Sequence, residues 1–372
     1  MKNRTLSQHH SDPPVTEIVK MSLAGGKEIS RSESEKVSSQ LEMQTGLLSQ
    51  SGSFHRHFIR AGVNRLWDGV PFYLLAAMLA VIVVVQPTAF GVMGFALLLG
   101  SCVPLALATM SQMFIMAAGD IDLGIGSFVG LINVITAVVL IHNTALGVLL
   151  YLVLIVAYVM MGLIVYYLQI PALIVTLGAG FIWLGLAINI LPSPAGTVPS
   201  YIINWFSWSP SFFPGPVVYL VAIALIGHFI LMRNRYGAIL RGSGSNAEAI
   251  GRAGWSVART KATLYALAGF FGVLSGLSLS ALTTSGDSAN GSEYVLLSIV
   301  SVIIGGGEFT GGIVAPVGAV AGACVIVLVG SMLSFLNISS NYQIGAQGVI
   351  LMLALSIRVV RRTWGSKKKV VA

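Results

Sequence analysis

Three acidic residues lie in stretches of this sequence that are otherwise apolar: Asp120, Asp122 and Glu308. If these stretches cross a membrane, each charge costs roughly 2.5–3.5 kcal/mol near the bilayer centre, so each carboxylate needs water, a partner or a helix end. Asp120 and Asp122 would point about 200° apart on a regular helix and could not line one face of it. Such acids either shape a break between helices or bind a substrate or an ion directly.

The residues around the first two acids, AAGDIDLGIGS at positions 117–127, predict such a break. Glycines interrupt the helical pattern, and Asp122 would lie near the start of the next helix, where exposed amides and the helix dipole favour a carboxylate. Both interpretations, a helix cap and a binding role, stay open. The predicted residues for the helix break and for shaping a pore are Gly119, Asp120, Asp122, Gly124, Gly126 and Ser127.

Glu308 lies in the segment GGGEFTGG, which holds too many glycines to be a stable helix. The segment predicts a tight turn between two helices, in which Glu308 either is an ordinary turn residue or reaches water or a partner. The turn residues are Gly305, Gly306, Glu308, Gly311 and Gly312.

Signals of catalysis are absent from the sequence. It contains no GxxxxGK[ST] loop, so the chain is not expected to bind and hydrolyse ATP. The six histidines show no metal-ligand spacing, and Cys102 and Cys324 lie in apolar runs where buried structural thiols are expected. We therefore expect no enzyme activity, no metal and no cofactor in this chain.

The composition predicts an all-α, polytopic membrane protein. Mean hydropathy is +0.86, and 9% of the residues are charged, whereas soluble domains carry about 25%. Such a chain cannot solvate its surface in water alone, so membrane lipid is an expected partner. The net charge of +8 would suggest nucleic acid in a soluble protein, but the distribution of the cations explains it without nucleic acid.

The 21 Lys and Arg residues fall into three blocks, between Lys2 and Arg65, between Arg233 and Lys261, and between Arg358 and Lys369. Cationic loops stay in the cytoplasm, which predicts an even number of crossings between blocks and both termini inside. At roughly 20 residues per span the gaps hold about ten spans, with eight also possible. Spans are expected near 70–87, 91–116, 121–141, 146–168, 171–191, 216–232, 263–284, 294–305, 311–335 and 343–357.

The remaining segments complete the predicted organisation. Residues 1–53 are polar and Ser-rich, which predicts a disordered cytoplasmic tail. Residues 54–69 form either an interfacial helix or a juxtamembrane linker. The membrane domain covers 70–358 with a cytoplasmic loop at 233–262, and 359–372 is a basic cytoplasmic tail. The aromatic-rich loop 192–216 is expected outside, where it anchors to lipid headgroups or contacts an external partner.

Four separated motifs carry a resemblance to a known family. Ile121-Asp122-Leu123 with Gly126-Ser127 resembles its I-D-L-S-V-G-S, and PALIVTLG at 171–178 resembles its P-x-F-I-V-T-L-G. The segment from Gly244 to Gly254 resembles A-x-G-G-N-x-E-A-A-x-x-x-G, with Ser245 and Ala247 as departures. Glu293-Tyr294, Ile304-Gly305-Gly306 and Gly311-Gly312 resemble its E-L…I-G-G…G-G run, in which Val314 and Ala315 replace the usual Gly-Ser. The chain thus resembles permease subunits of monosaccharide-type ATP-binding-cassette importers, the family of the ribose transporter's membrane protein.

The resemblance implies a bacterial inner (plasma) membrane protein that transports a ribose-like pentose or a hexose by alternating access. Two permease subunits, identical or different, would form the pore, a separate cytoplasmic ATPase would use ATP, and an external binding protein would deliver the sugar. The ATPase-coupling residues would be Gly244, Asn246, Glu248, Ala249 and Gly254. Asn246 suits the cap of a short coupling helix that Gly254 ends.

Four nearby cations either pair with acids on the ATPase or serve only as topology signals; they are Arg241, Arg252, Arg259 and Lys261. Two other functions stay open. The same architecture would suit branched-chain amino acids, nucleosides or a sugar-like signal, and an ion-coupled secondary transporter would use Asp120 and Asp122 as coupling groups. The residues predicted for a translocation path are Thr176, Asn189, Thr283 and Thr284.

Overall fold

A computed structural model describes residues 69–87, 91–210 and 213–339, together with isolated positions between 342 and 356. This part of the chain is helical and contains one isolated β-bridge, between Ala195 and Gly286. The predicted tails 1–53 and 359–372, nearly all of the segment 54–69 and most of the predicted span 343–357 lie outside the described residues.

The helices are named here in chain order. They are α1 (Val70–Val85), α2 (Val92–Gly100), α3 (Cys102–Ala117), α4 (Ile125–Val134), α5 (Thr144–Leu168), α6 (Ala172–Ile190), α7 (Ser200–Ser207), α8 (Gly215–His228), α9 (Arg235–Ser245), α10 (Ala247–Arg252), α11 (Val257–Thr283), α12 (Tyr294–Ile304) and α13 (Pro316–Phe335). Two π-helical turns, Ile135–Leu140 and Phe229–Arg233, extend α4 and α8.

Six helices among the described residues are long and apolar enough to cross a membrane: Met93–Ala117, Thr144–Leu168, Ala172–Ile190, Gly215–Arg233, Val257–Thr283 and Pro316–Phe335. The predicted class, a polytopic all-α membrane protein, is confirmed. Shorter apolar helices occupy 70–85, 125–140 and 294–304. The count of about ten spans and the cytoplasmic position of the termini stay predictions.

Two predicted span starts were wrong. The span expected near residue 263 begins at Val257, because Ser256 caps it by accepting a hydrogen bond from the Arg259 N–H at 3.3 Å. The span expected near residue 311 begins at Pro316, because Gly311 and Gly312 have φ angles of 78° and 75° that a helix does not allow.

Helix α3 lies at the centre of the bundle, and all of its residues are buried. It packs against α11, α12 and α13. Polar contacts join it to α11: the Ser111 hydroxyl donates to the Ala268 carbonyl oxygen at 2.8 Å, and the Ser275 hydroxyl donates to the Pro104 carbonyl oxygen at 2.8 Å. Such hydrogen bonds help to hold two membrane helices together in one relative position, because the hydrophobic effect gives little driving force for association in lipid.

Small residues let the helices around α3 approach closely. On α11, a Cβ added to Gly276 would lie 2.4 Å from the Ile132 side chain, and one added to Gly272 would lie 2.9 Å from the Phe128 ring. No such atom fits, so α11 and α4 pack with the glycine backbone as part of the interface.

The outward faces of α5 and α6 are strongly apolar. Exposed side chains on α5 include Leu149, Leu152 and Val156, and continuous apolar surface of this kind is expected where lipid is the solvent. Helix α7 lies within the aromatic loop and exposes Trp205, while Phe206 packs against the core. Lipid anchoring and contact with an external partner both stay predictions for that loop.

The close approach at Gly276 gives a testable expectation. Gly276→Ala should lower the free energy of unfolding by about 1–3 kcal/mol, because the added methyl overlaps Ile132 and forces the helices apart. Gly178→Ala on α6 is the matched control, since a Cβ there meets nothing within 4 Å. Denaturant titration of the purified protein in detergent measures both, and equal effects of the two substitutions would contradict the packing argument.

Candidate functional site

The two acids near position 120 lie in a break between two buried helices. Helix α3 ends at Ala117 and α4 begins at Ile125, so the chain breaks between them where the first glycines indicated. Gly126 and Ser127, predicted to belong to the break, lie within α4. A role in shaping a pore stays a prediction. Gly119 has a φ of 81°, in the left-handed region that favours glycine. The residue directly before α4 is Gly124, so Asp122 is not itself the helix cap and instead holds the loop that leads into it.

Asp122 is fully buried and fully partnered. Its Oδ1 accepts a hydrogen bond from the Gly124 N–H at 2.7 Å, and its Oδ2 accepts one from the Tyr158 hydroxyl at 2.8 Å. In the amide orientation that satisfies both groups, Gln112 Nε2 donates to the Asp122 carbonyl oxygen and Gln112 Oε1 accepts from the Asp122 N–H, at 3.0 and 3.2 Å. Asp122 therefore ties the break to α3 and α5.

Thr176 on α6 holds the same break from a third direction. Its buried hydroxyl accepts from the Leu123 N–H at 3.1 Å and donates to the Ile121 carbonyl oxygen at 3.2 Å. A Cβ added to Gly124 would lie 2.6 Å from the Thr176 carbonyl oxygen, so this glycine is required by close approach. The Thr176 hydroxyl thus binds backbone of the break and does not face open space.

Asp120 is held by a different helix. Its Oδ2 lies 2.8 Å from Lys261 Nζ and accepts a hydrogen bond from the Tyr265 hydroxyl at 2.9 Å, both on α11. The Lys261 and Asp120 side chains are only 16% and 12% exposed. Lys261 is therefore engaged inside the protein, which counts against pairing with an acid on a partner protein and leaves its alternative role as a topology signal. A buried lysine lowers its free energy by pairing with the nearest carboxylate.

The predicted coupling segment forms a short surface helix, α10, whose residues are all unburied. Asn246 caps it: its Oδ1 accepts from the Ala249 N–H at 2.9 Å. Gly254 follows its end with a φ of 83°. Glu248 and Arg252 form an ion pair of 2.9 Å on the exposed face, where the side chains are 78% and 73% exposed. The expected cap and stop of this helix are confirmed.

The glycine-rich segment 305–312 is a turn, as expected. Gly306, Gly311 and Gly312 all have positive φ, and the Glu308 N–H donates to the Ile313 carbonyl oxygen at 2.9 Å. Gly305 packs backbone to backbone on α13, where an added Cβ would lie 2.3 Å from the Ala319 nitrogen. The turn therefore brings α12 into direct contact with the start of α13.

The other predicted residues lie apart from the break. The Thr283 hydroxyl donates to the Leu279 carbonyl oxygen at 3.0 Å, and Thr284 ends α11 with a φ of 58°. Asn189 is exposed near the end of α6. A role for these residues in a translocation path stays a prediction. Gly126 packs against the loop before α12, where an added Cβ would lie 2.6 Å from the Gly291 carbonyl oxygen, and Ser127 is half-buried.

Comparison with known proteins identifies the family of this arrangement. A family model described as "Branched-chain amino acid transport system / permease component" matches residues 94–355, which include the break, the coupling segment and the turn. The chain belongs to this family. Its described membrane-length helices and its membership make it a multi-pass protein of the bacterial inner membrane.

Similar curated proteins include permeases named for sugars. The L-arabinose transport system permease protein AraH of Escherichia coli K12 is 29% identical over 312 residues, covering 78% of this chain and 90% of AraH. The xylose transport system permease protein XylH of Haemophilus influenzae is 31% identical over 144 residues, covering 39% and 38%. The ribose import permease protein RbsC of Escherichia coli K12 is 25% identical over 319 residues, covering 84% and 98%. No solved structure matches the chain.

Sequence reasoning missed several residues that organise this permease. Gln112, Tyr158 and Tyr265 lie in long apolar runs, and nothing in their spacing links them to the acids. Asn133 was missed as well: it is fully buried on α4, donates to the Ser280 hydroxyl at 2.9 Å and accepts from the Asp287 N–H at 2.7 Å. A polar residue inside an otherwise apolar helix was the available signal, since it requires a partner there.

The hydrogen bonds between Thr176 and the break can be tested by removing the Thr176 hydroxyl at nearly constant side-chain volume. Thr176→Val leaves the Leu123 N–H and Ile121 carbonyl without that partner and should cost about 1–3 kcal/mol of unfolding free energy. Thr260→Val is the matched control, because the Thr260 hydroxyl is also buried but donates to the carbonyl of Val257 on its own helix. Denaturant titrations in detergent should show the larger loss of unfolding free energy for Thr176→Val. An equal loss in both variants would contradict the role of Thr176 in holding the break.

Proposed function

We propose that this permease is the membrane-spanning subunit of an ATP-driven importer that moves a monosaccharide into the cell by alternating access. The observation that carries the proposal is the exposed, capped helix α10, set between two membrane-length helices in a cationic segment of a chain from this family. Such a helix presents a compact surface on which a soluble protein can push. The named relatives, permeases for arabinose, xylose and ribose, favour a pentose or a similar sugar as cargo.

Three further proteins belong to this proposal. A cytoplasmic ATPase would bind and hydrolyse ATP, since the sequence has no phosphate-binding loop of its own. A second permease subunit, identical or different, would complete the pore, and an external binding protein would deliver the sugar. The exposed pair Glu248–Arg252 offers one charge of each sign to a docking surface. Exposed charges at an interface contribute more to the orientation and the rate of association than to the affinity.

Ion-coupled transport by Asp120 and Asp122 is the second candidate, and the contacts of both acids count against it. Asp120 is neutralised by Lys261, and both Asp122 oxygens accept hydrogen bonds in a fully buried site. An ion-coupling carboxylate must exchange its partner for a proton or a cation during each cycle. Other cargoes, including the branched-chain amino acids of the family description, fit the same architecture. Uptake assays with each cargo distinguish them from a sugar.

Reconstitution tests the proposed function. Proteoliposomes that hold this permease with its ATPase and binding protein should take up radiolabelled L-arabinose, xylose or ribose only when ATP is present on the ATPase side. Collapse of proton and sodium gradients by ionophores should leave the initial rate unchanged, because hydrolysis supplies the energy. Uptake by the permease alone in response to an ion gradient would overturn the proposal.

The coupling role of α10 is tested at the glycine that ends it. Gly254→Ala forces a Cβ into a φ of 83°, at a cost of about 1 kcal/mol, and should distort the exit from α10. We expect less sugar moved per ATP hydrolysed, with the unfolding free energy of the membrane domain lowered by no more than that strain, because a Cβ added at Gly254 meets no atom within 4 Å. Gly251→Ala, inside α10 and equally open, is the control and should keep the wild-type ratio. If both variants move the wild-type amount of sugar per ATP hydrolysed, Gly254 has no role in coupling.

A further inference from the structure

The coupling helix α10 is joined to the break 118–124 at both of its flanks. On its amino-terminal side Gly244 packs against the end of α3: a Cβ added to Gly244 would lie 1.9 Å from the Ala117 carbonyl oxygen. On its carboxyl-terminal side Lys261 is paired with Asp120. Residues 244 and 261 bracket α10, so a displacement of that helix acts on one short stretch of chain from both ends.

The amino-terminal flank is a backbone contact among three glycines. A Cβ added to Gly119 would lie 3.2 Å from the Gly244 carbonyl oxygen, and one added to Gly311 would lie 2.6 Å from the same oxygen and 2.9 Å from the Gly119 Cα. The Gly312 N–H also donates to the Ala117 carbonyl oxygen at 3.2 Å. Backbone packed in this way leaves no flexible side chain to absorb a movement.

The carboxyl-terminal flank is a mostly buried ion pair that is supported by a second donor. Lys261 Nζ and the Tyr265 hydroxyl lie 2.8 and 2.9 Å from the same oxygen of Asp120, and the two donors are one turn apart on α11. A buried ion pair is a poor source of stability, because removal of both charges from water offsets most of their attraction. We therefore assign this ion pair a positioning role: it holds the start of α11 against the break.

From the break, the contacts continue into three membrane helices. Two residues after Asp120, Asp122 is bound to Tyr158 of α5 and to Gln112 of α3, and Thr176 of α6 holds Ile121 and Leu123. We propose that the Asp120–Lys261 ion pair is a positioning contact. Together with the backbone contact between Gly244 and Ala117, it transmits movement of the coupling helix to these three helices. The inference rests on the proposed ATP-driven function and names the residues that would perform the coupling.

The test separates transmission from stability by a double substitution. Lys261→Met leaves the Asp120 charge unpaired and should destabilise the permease, whereas Asp120→Asn combined with Lys261→Met leaves no unpaired buried charge and should recover stability. If the pair transmits movement, the double variant should still bind the ATPase and hydrolyse ATP at a rate near wild type. It should move about tenfold less sugar per ATP, as expected for the loss of a coupling contact.

Two further variants complete the design. Lys261→Arg keeps the charge and should retain a ratio near wild type, and Arg235→Met removes an exposed cation of the same segment as the control. A double variant with the wild-type ratio, or one whose uptake and ATP hydrolysis fall by the same factor, would overturn the inference. If the double variant does not assemble, Asp120→Asn alone is measured in the same way, because its amide oxygen can still accept hydrogen bonds from both Lys261 and Tyr265; a wild-type amount of sugar moved per ATP in this variant would equally overturn the inference.

The two proposals fail differently in this assay. Absence of ATP-dependent uptake of L-arabinose, xylose or ribose by the wild-type complex counts against the proposed sugar import and, with it, against the coupling contact. Normal wild-type uptake with an unchanged ratio in the charge-free double variant leaves sugar import intact and removes only the ion pair from the coupling route.

Discussion

The structure depends on one constraint: a carboxylate inside an apolar helical bundle must have hydrogen-bonding or oppositely charged partners. Asp122 meets it with a backbone amide and a tyrosine, and Asp120 meets it with a lysine and a second tyrosine. Apart from the amide, which belongs to the neighbouring Gly124, these partners come from helices that are distant in the sequence. The need to satisfy two acids therefore fixes where α5 and α11 lie relative to the end of α3.

Close approach of glycine backbone is the second organising feature, and it serves the same region. Gly119, Gly244 and Gly311 meet where the end of α3, the end of α9 and the turn before α13 converge. Elsewhere Gly272 and Gly276 let α11 settle onto α4. In lipid, where apolar side chains gain little by leaving the solvent, such contacts and a few hydrogen bonds hold the helices together.

Much of the fold was predictable from sequence because the lipid environment leaves few alternatives. Long apolar runs without Lys or Arg must be helices, and their observed ends mostly lie within a few residues of the expected ones. The errors came at 257 and 316, where a serine cap and two left-handed glycines decided the helix start. The cap at Asn246 and the stop at Gly254 were predictable because both are local chemistry.

The candidate site was predictable only as a set of segments. Glycines beside Asp120 and Asp122 indicated a break, and family-like motifs indicated a coupling segment and a turn. Their meeting was not predictable: for Lys261 an external partner and a topology signal both stayed open, and Thr176 was offered for a translocation path, because neither spacing nor composition shows which distant residue each side chain contacts. Gln112 and Tyr158 had no sequence signal beyond their polarity.

The amino-acid sequence was sufficient to predict a helical membrane protein of a permease family, with a capped, cationic segment between its spans. These properties follow from hydropathy, charge placement and short-range hydrogen bonding, all of which act within a few residues. The folded arrangement was needed to show that the two acids are partnered by α5 and α11, and that Gly244 lies against Ala117. Those contacts depend on the relative positions of whole helices, which are set by packing and by buried polar groups finding partners far along the chain.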